Sequence, residues 1–259
     1  MGSCKTTFWT TAISKVEKNK IIVRGYKIED LIGRISFAGM IYLLFMGRLP
    51  NEREEKLMNA LLVSGCEHSI TCPSTAAARL VITGGVGLQN AIASGINALG
   101  DYHGGAIEHT MRMLYEAFNK YPNEDLELIA EKIIDEYLEK HERVPGFGHF
   151  LHTNDPRVRR LIELANELGY NGRYLRLACT IQDKLSKRLG KPMPMNVDGI
   201  MGALFCELGF DWRMGKALFT LSRVAGIAAH SYEEMVYGKP FKATPLEEIT
   251  YTGPEEKQV

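Results

Sequence analysis

Three stretches of the chain set a titratable side chain among glycines or prolines beside apolar sequence. They are Gly100-Asp101-Tyr102-His103-Gly104-Gly105-Ala106, Arg143-Val144-Pro145-Gly146-Phe147-Gly148-His149 and Pro192-Met193-Pro194-Met195-Asn196-Val197-Asp198-Gly199. Each has a plain alternative: a loop histidine, a helix connector and, for Asp198, a helix N-cap. Together they offer two imidazoles and a carboxylate, with no serine or cysteine nucleophile motif. That is acid–base equipment, a carboxylate to move a proton at carbon and imidazoles to hold a developing oxyanion. A helix start beside it would add N–H groups that favour negative charge. His68 and Arg223 are further candidates. Arg223 lies in an apolar helical pattern, where a lone guanidinium is costly, so an acidic side chain or an anionic substrate must meet it.

These residues need helices to position them. Pro145 ends any helix arriving from Asp125–Glu142, the clearest amphipathic tract, with Leu126, Ile129, Ile133, Ile134, Tyr137 and Leu138 on one stripe. Ser36 caps a helix that buries Phe37, Met40, Ile41, Leu44 and Phe45, and Asn51 caps the next, Glu52–Ser64. Pro73 opens a helix with Ala76, Ala77, Leu80 and Val81 at helical spacing. Small residues in Ala91–Leu99 suit a helix packed closely on a neighbour. Val158–Gly169, Arg173–Leu189, Gly199–Leu208 and Trp212–Tyr237 are helical by pattern. Near the N-terminus, Thr10–Val23 predicts a small hairpin, which Arg24-Gly25-Tyr26 breaks before a helical tract at Lys27–Gly33. Lys239–Val259 reads as an extended arm. The fold class expected is all-α with one small N-terminal β hairpin.

Composition narrows the function classes. Lys+Arg and Asp+Glu both number 31, so zero net charge gives no electrostatic case for nucleic acid or an anionic membrane. Gly84-Gly85-Val86-Gly87 lacks the third glycine and the preceding strand of a dinucleotide fingerprint. The longest apolar run, near Ala38–Met46, falls short of the ~20 residues that span a bilayer. No signal-like apolar stretch follows Met1, and Gly2 fits only a short myristoylation motif. Five cysteines without a CxxC pair suggest neither a disulfide framework nor zinc, and a reducing, cytoplasmic setting is expected.

Seven motifs, in order, resemble those of the citrate synthases: Arg24-Gly25-Tyr26-Lys27-Ile28-Glu29-Asp30-Leu31, Pro73–Arg79, His103-Gly104-Gly105-Ala106, Pro145–His149, Asp155-Pro156-Arg157, Asn196-Val197-Asp198 and Ser222-Arg223. The resemblance implies an all-helical, two-domain fold with its site between the domains, and a homodimer or higher homo-oligomer. A large domain would comprise 1–140 and 200–259, and a small one 141–199 with part of the CoA site. It implies that Asp198 takes the acetyl methyl proton, His103 donates to the enol oxygen of the thioester, and His149 hydrogen-bonds the oxaloacetate carbonyl. His68 and Arg223 would bind carboxylates, with Lys239 a weaker candidate. Pro145, Gly146, Phe147 and Gly148 would cradle CoA, with Lys191 near its phosphates. No cofactor beyond the CoA thioester substrate is implied, and no metal.

The chain also departs from the family. Only Asn51–Glu67 bridges segments that citrate synthases separate by a long helical stretch. That compaction is similar to the stand-alone citryl-CoA lyases and to the citrate synthase homology module of ATP-citrate lyase. Phe150-Leu151-His152-Thr153-Asn154 replaces the family's arginine and longer spacer after the histidine. The expected activity is cleavage of citryl-CoA to acetyl-CoA and oxaloacetate, a step of a reductive tricarboxylic acid cycle, paired with a citryl-CoA synthetase. A short citrate synthase is the alternative, and a non-catalytic scaffold subunit the third reading.

Overall fold

The computed structural model describes residues 8–149 and 151–259. Gly2, Cys4 and Phe150, which the sequence reading touched, lie outside them. Three short antiparallel strands open the chain: β1 (Ser14–Glu17), β2 (Lys20–Val23) and β3 (Tyr26–Lys27), in the order β1-β2-β3. The expected hairpin is therefore one strand larger. Arg24-Gly25 does not break the pattern but turns it, with φ of 49° and 91° at its two residues. Two consecutive left-handed residues give a turn whose twist matches that of the flanking strands. Val23 packs with Leu31 and Leu43, and the Arg24 guanidinium donates to the Leu44 carbonyl at 2.7 and 3.1 Å.

All else of regular structure among the described residues is helical. After the single turn α1 (Ile28–Leu31) come α2 (Phe37–Met46) and α3 (Glu52–Gly65). Ser36 Oγ caps α2 by accepting the Gly39 N–H, and Asn51 with Glu54 forms a capping box on α3. Phe37, expected in the core, is instead exposed, and α2 buries Ala38, Ile41, Tyr42 and Leu43. α4 (Pro73–Ile82) and α5 (Leu88–Asn97) follow, then α6 (Ala106–Lys120), which the periodicity reading did not delimit. α7 (Leu126–Glu139), α8 (Pro156–Leu168), α9 (Arg173–Leu189), α10 (Val197–Glu207) and α11 (Gly215–Tyr237) complete the set, each within a few residues of its expected bounds.

Two compact units result. The first holds residues 1–67 and 100–223, the second 68–99 and 224–259. Residues 141–199, expected as a small domain, lie inside the first unit. There α6 packs on α10, α7 on α9 and α9 on α10. Helix α10 is buried nearly all round, from Val197 through Cys206 except at Asp198. Tyr42, Phe205 and Phe210 form an edge-to-face cluster in the same core, with centroids 5.5–5.6 Å apart.

In the second unit α4 packs on α5 through small residues, as Ala91–Leu99 suggested. A Cβ placed on Gly95 would lie 2.8 Å from the Ser74 carbonyl and 2.7 Å from Ile227. The inward face of α4 is Ser74, Thr75, Ala78 and Ile82, so Ala76 and Leu80, expected inside, face outward. Arg79 pairs with Glu233 and with buried Glu234, which also accepts from Lys242 at 3.0 Å. Beyond α11 the chain is extended and exposed, apart from the turn Leu246–Glu248. No helix among the described residues is long and apolar enough to cross a membrane.

Candidate active site

The third motif resolves first. Its helix cap is Asn196, whose Oδ1 accepts the N–H groups of Asp198 (3.0 Å) and Gly199 (3.1 Å). Asp198 is therefore not the N-cap. It sits one position into the first turn of a helix with almost no polar surface. The helix dipole there favours the anion by about 0.3–1 kcal/mol. Burial is the larger effect and, reinforced by the nearby Asp155 carboxylate, lifts the Asp198 pKa to about 6 against the pull of Arg157 and Arg223. A carboxyl poised near neutrality can both take and return a proton.

Asp155 and Arg157 have their own arrangement at the start of α8. Asp155 is buried and caps the helix through the Arg157 N–H. The Arg157 guanidinium grips it in a two-pronged fashion, at 2.9 and 2.6 Å. Burial pushes the Asp155 carboxyl up, but Arg157 outweighs it and holds the group ionised.

The second motif is built on backbone pairing. Phe147 bridges Met195 in antiparallel fashion, Gly148 N–H donates to the Pro194 carbonyl at 2.7 Å, and Asn196 N–H donates to the Gly146 carbonyl at 3.0 Å. Asn196 Nδ2 adds a bond to the Gly148 carbonyl at 2.9 Å. Pro145, Gly146, Phe147 and Gly148 are thus registered against the segment that leads into Asp198. Gly146 has φ 85°, and a Cβ there would lie 2.6 Å from the Gly199 Cα. His149 follows directly. Its Nδ1 accepts the backbone N–H groups of Leu151 and His152, both at 3.0 Å. In the neutral ring the proton therefore resides on Nε2, which makes that nitrogen a donor.

The first motif closes on itself: Gly100 N–H donates to the His103 carbonyl and His103 N–H to the Gly100 carbonyl. The His103 ring is half-buried, edge-to-face with Phe219 at 6.3 Å between centroids. Burial, with the Arg223 charge second, lowers its pKa and keeps the ring neutral at physiological pH. Arg223 is 2% exposed, donates from Nε to the Gly65 carbonyl at 2.7 Å, and lies over the same Phe219 ring at 5.1 Å. Its neighbour Ser222 ties α11 to α3 through the Leu62 carbonyl.

His103, His149, Asp198, Arg223 and the 145–148 loop all belong to the first unit. The charge of Arg223 is felt by both His103 and Asp198, which places those three in one electrostatic neighbourhood. Lys191 is exposed just after the α9 C-cap Gly190. Beside it, Thr153, Asn154, Gln182, Pro192, Met193 and Pro194 line a pocket of about 360 Å³. His68 and Lys239 belong to the second unit. His68 Nδ1 lies 3.9 Å from Cys72 Sγ, and Lys239 is exposed in the segment after α11 beside Tyr237 and Phe241. Phe219, Asp155 and Arg157 shape the site, yet the residue reading gave them no role. Only the Asp-Pro-Arg motif pointed toward the last two.

A carboxyl lifted toward neutrality, two imidazoles and a buried arginine can together move a proton and hold negative charge. The family model for the citrate synthase C-terminal domain matches residues 2–56 and 50–243. The chain belongs to the citrate synthase family. It is 30% identical over 217 residues to citrate synthase 2 of Bacillus subtilis, covering 82% of this chain and 55% of that protein. The chain therefore spans little more than half the length of such relatives. Among solved structures it resembles citryl-CoA lyase from Hydrogenobacter thermophilus, with a TM-score of 0.91, 39% identity and 98% of each chain covered. It also resembles ATP citrate lyase from Methanothrix soehngenii, solved with citrate and coenzyme A, with a TM-score of 0.85, 25% identity and 97% of this chain against 43% of that one.

Proposed function

We propose that the protein is a citryl-CoA lyase, cleaving citryl-CoA to acetyl-CoA and oxaloacetate. The observation that carries this reading is its end-to-end likeness to the Hydrogenobacter lyase, a chain of matching extent. In cleavage, the citryl hydroxyl loses its proton as the carbon–carbon bond breaks. The electron pair moves into the thioester, forming an acetyl-CoA enolate whose oxygen His103 steadies. Asp198 enters protonated and delivers its proton to the enolate carbon; a pKa of about 6 leaves a usable protonated fraction near neutral pH. His149 donates from Nε2–H to the oxygen that becomes the oxaloacetate carbonyl; the hydroxyl proton leaves to solvent, and Asp198 regains one from solvent before the next turnover. Arg223 and His68 bind carboxylates, and Lys239 assists. The 145–148 loop and the pocket beside Lys191 take CoA.

The same transition state serves condensation, so these roles do not set a direction. A citrate synthase activity is the second reading, favoured by the relatives that carry that name. The test is synthetic citryl-CoA given to the pure protein. Equal amounts of acetyl-CoA and oxaloacetate are expected, without free CoA. Release of CoA with citrate from acetyl-CoA and oxaloacetate overturns the lyase assignment. The proposal extends to a cytoplasmic homo-oligomer working beside a synthetase that makes citryl-CoA, and a monomer by light scattering at micromolar concentration would contradict the oligomer.

A further inference from the structure

His152 lies in the stretch where this chain departs from its family, and no role has yet been given to it. Its backbone N–H is one of the two donors to His149 Nδ1. Its ring also packs against the His149 ring, with centroids 4.5 Å apart and planes tilted by 37°. It is half-buried and lies close to Asp155.

These contacts divide the work of holding His149. Two N–H groups converging on Nδ1 fix the tautomer and the position of one ring edge. They hold that edge, and the His152 imidazole adds contact with the ring itself. Three residues on, at the start of α8, buried Asp155 is clamped by Arg157, which sets a firm end to the segment that carries both imidazoles.

We propose that His152 is a positioning residue: its imidazole stacks on His149 and fixes the ring tilt that aims Nε2–H at the substrate oxygen. The inference rests on the role given to His149 above. Loss of the stacking face removes alignment in the transition state more than binding, so it acts on kcat rather than KM.

The test is citryl-CoA cleavage by wild type, His152→Ala and His152→Phe, each assayed well below its unfolding temperature. His152→Ala is expected to lower kcat about 10–100-fold, the size seen when a supporting shell is removed, with KM little changed. His152→Phe, which keeps a flat face without nitrogen, should recover most of the loss. The imidazole ¹⁵N signals of His149 should stay sharp in the Phe variant and broaden in the Ala variant. If His152→Ala does not fold, His152→Leu takes its place under the same criteria, as it fills volume without a flat face. An unchanged kcat in the Ala or Leu variant overturns the proposal, as does a Phe variant no better than it. Wild type inactive on citryl-CoA is a failure of the lyase assignment instead, and the ¹⁵N comparison then still decides the stacking role.

Discussion

Two glycine turns carry the two histidines, and they are held in different ways. The turn at 100–105 closes on its own backbone and is tied outward by an exposed ion pair, Asp101 with Lys216 at 2.6 Å. The turn at 145–149 is laced to residues 194–196 and pressed backbone to backbone against Gly199. The first turn meets the rest of the unit through side chains, His103 on Phe219 and Asp101 on Lys216. The second meets it through backbone, along the segment that runs straight into Asp198. One imidazole is placed by a local loop; the other shares a frame with the Asp198 carboxyl.

The sharpest way to break that contrast is Gly146→Ala. A side chain there meets both a left-handed φ and the Gly199 backbone, so stability should fall by about 2–5 kcal/mol in denaturant titration. Asp198→Asn should cost about 10²–10⁴ in turnover, while unfolding above pH 7 should require more energy, on the order of 1–3 kcal/mol. The sign follows from proton affinity. The folded state holds the Asp198 proton up to about pH 6 and the unfolded chain only to 3.8, so this carboxyl's contribution to stability falls as pH rises through that window. His103 runs the other way. Its folded pKa is below the ordinary 6.5, so its contribution is full above that value and falls as pH drops, because the unfolded chain takes the proton first. Calorimetric pH scans of Asp198→Asn and His103→Gln should therefore change slope in opposite directions. Asn196→Ala, which removes a helix cap and the bond to Gly148, should cost about 1–2 kcal/mol. Lys216→Met removes its ion pairs with Asp101 and, at 3.8 Å, Glu108, and should leave turnover within about twofold of wild type, at low salt and high.

Helices were legible in the sequence wherever apolar residues kept a helical period between clear caps, as at Ser36, Asn51 and Asp125. The stretch that became α6 was not delimited although Ile107, Met111, Leu114 and Ala117 keep a helical period, because its N-cap Gly105 has no side chain to signal a start. Inward faces were read less well than helices. Phe37 and Leu80 match apolar spacing yet face outward, and the small residues Ala38, one position after, and Ala78, two positions before, pack inward instead.

In the site, glycine or proline setting singled out His103, His149 and Asp198, and a charge in an apolar helix singled out Arg223. Competition between capping and catalysis at Asp198 was not decidable from one residue. It turns on Asn196, two positions earlier, taking the cap. The Asp155–Arg157 clamp, the Phe219 ring shared by His103 and Arg223, and the stacking of His152 arise from distances through space, which spacing along the chain does not encode.

The facing glycines have a consequence for how this chain can vary. A Cβ on Gly146 runs into Gly199, and a Cβ on Gly199 runs into the Gly146 carbonyl and, at 2.8 Å, Met195. Neither position offers the other room, so a change at one cannot be rescued by enlarging or shrinking its opposite. In a library randomised at both codons and selected for turnover, survivors should carry glycine at both. Ordinary core pairs trade volume between partners; this pair has none to trade, and drift in the site must travel around it.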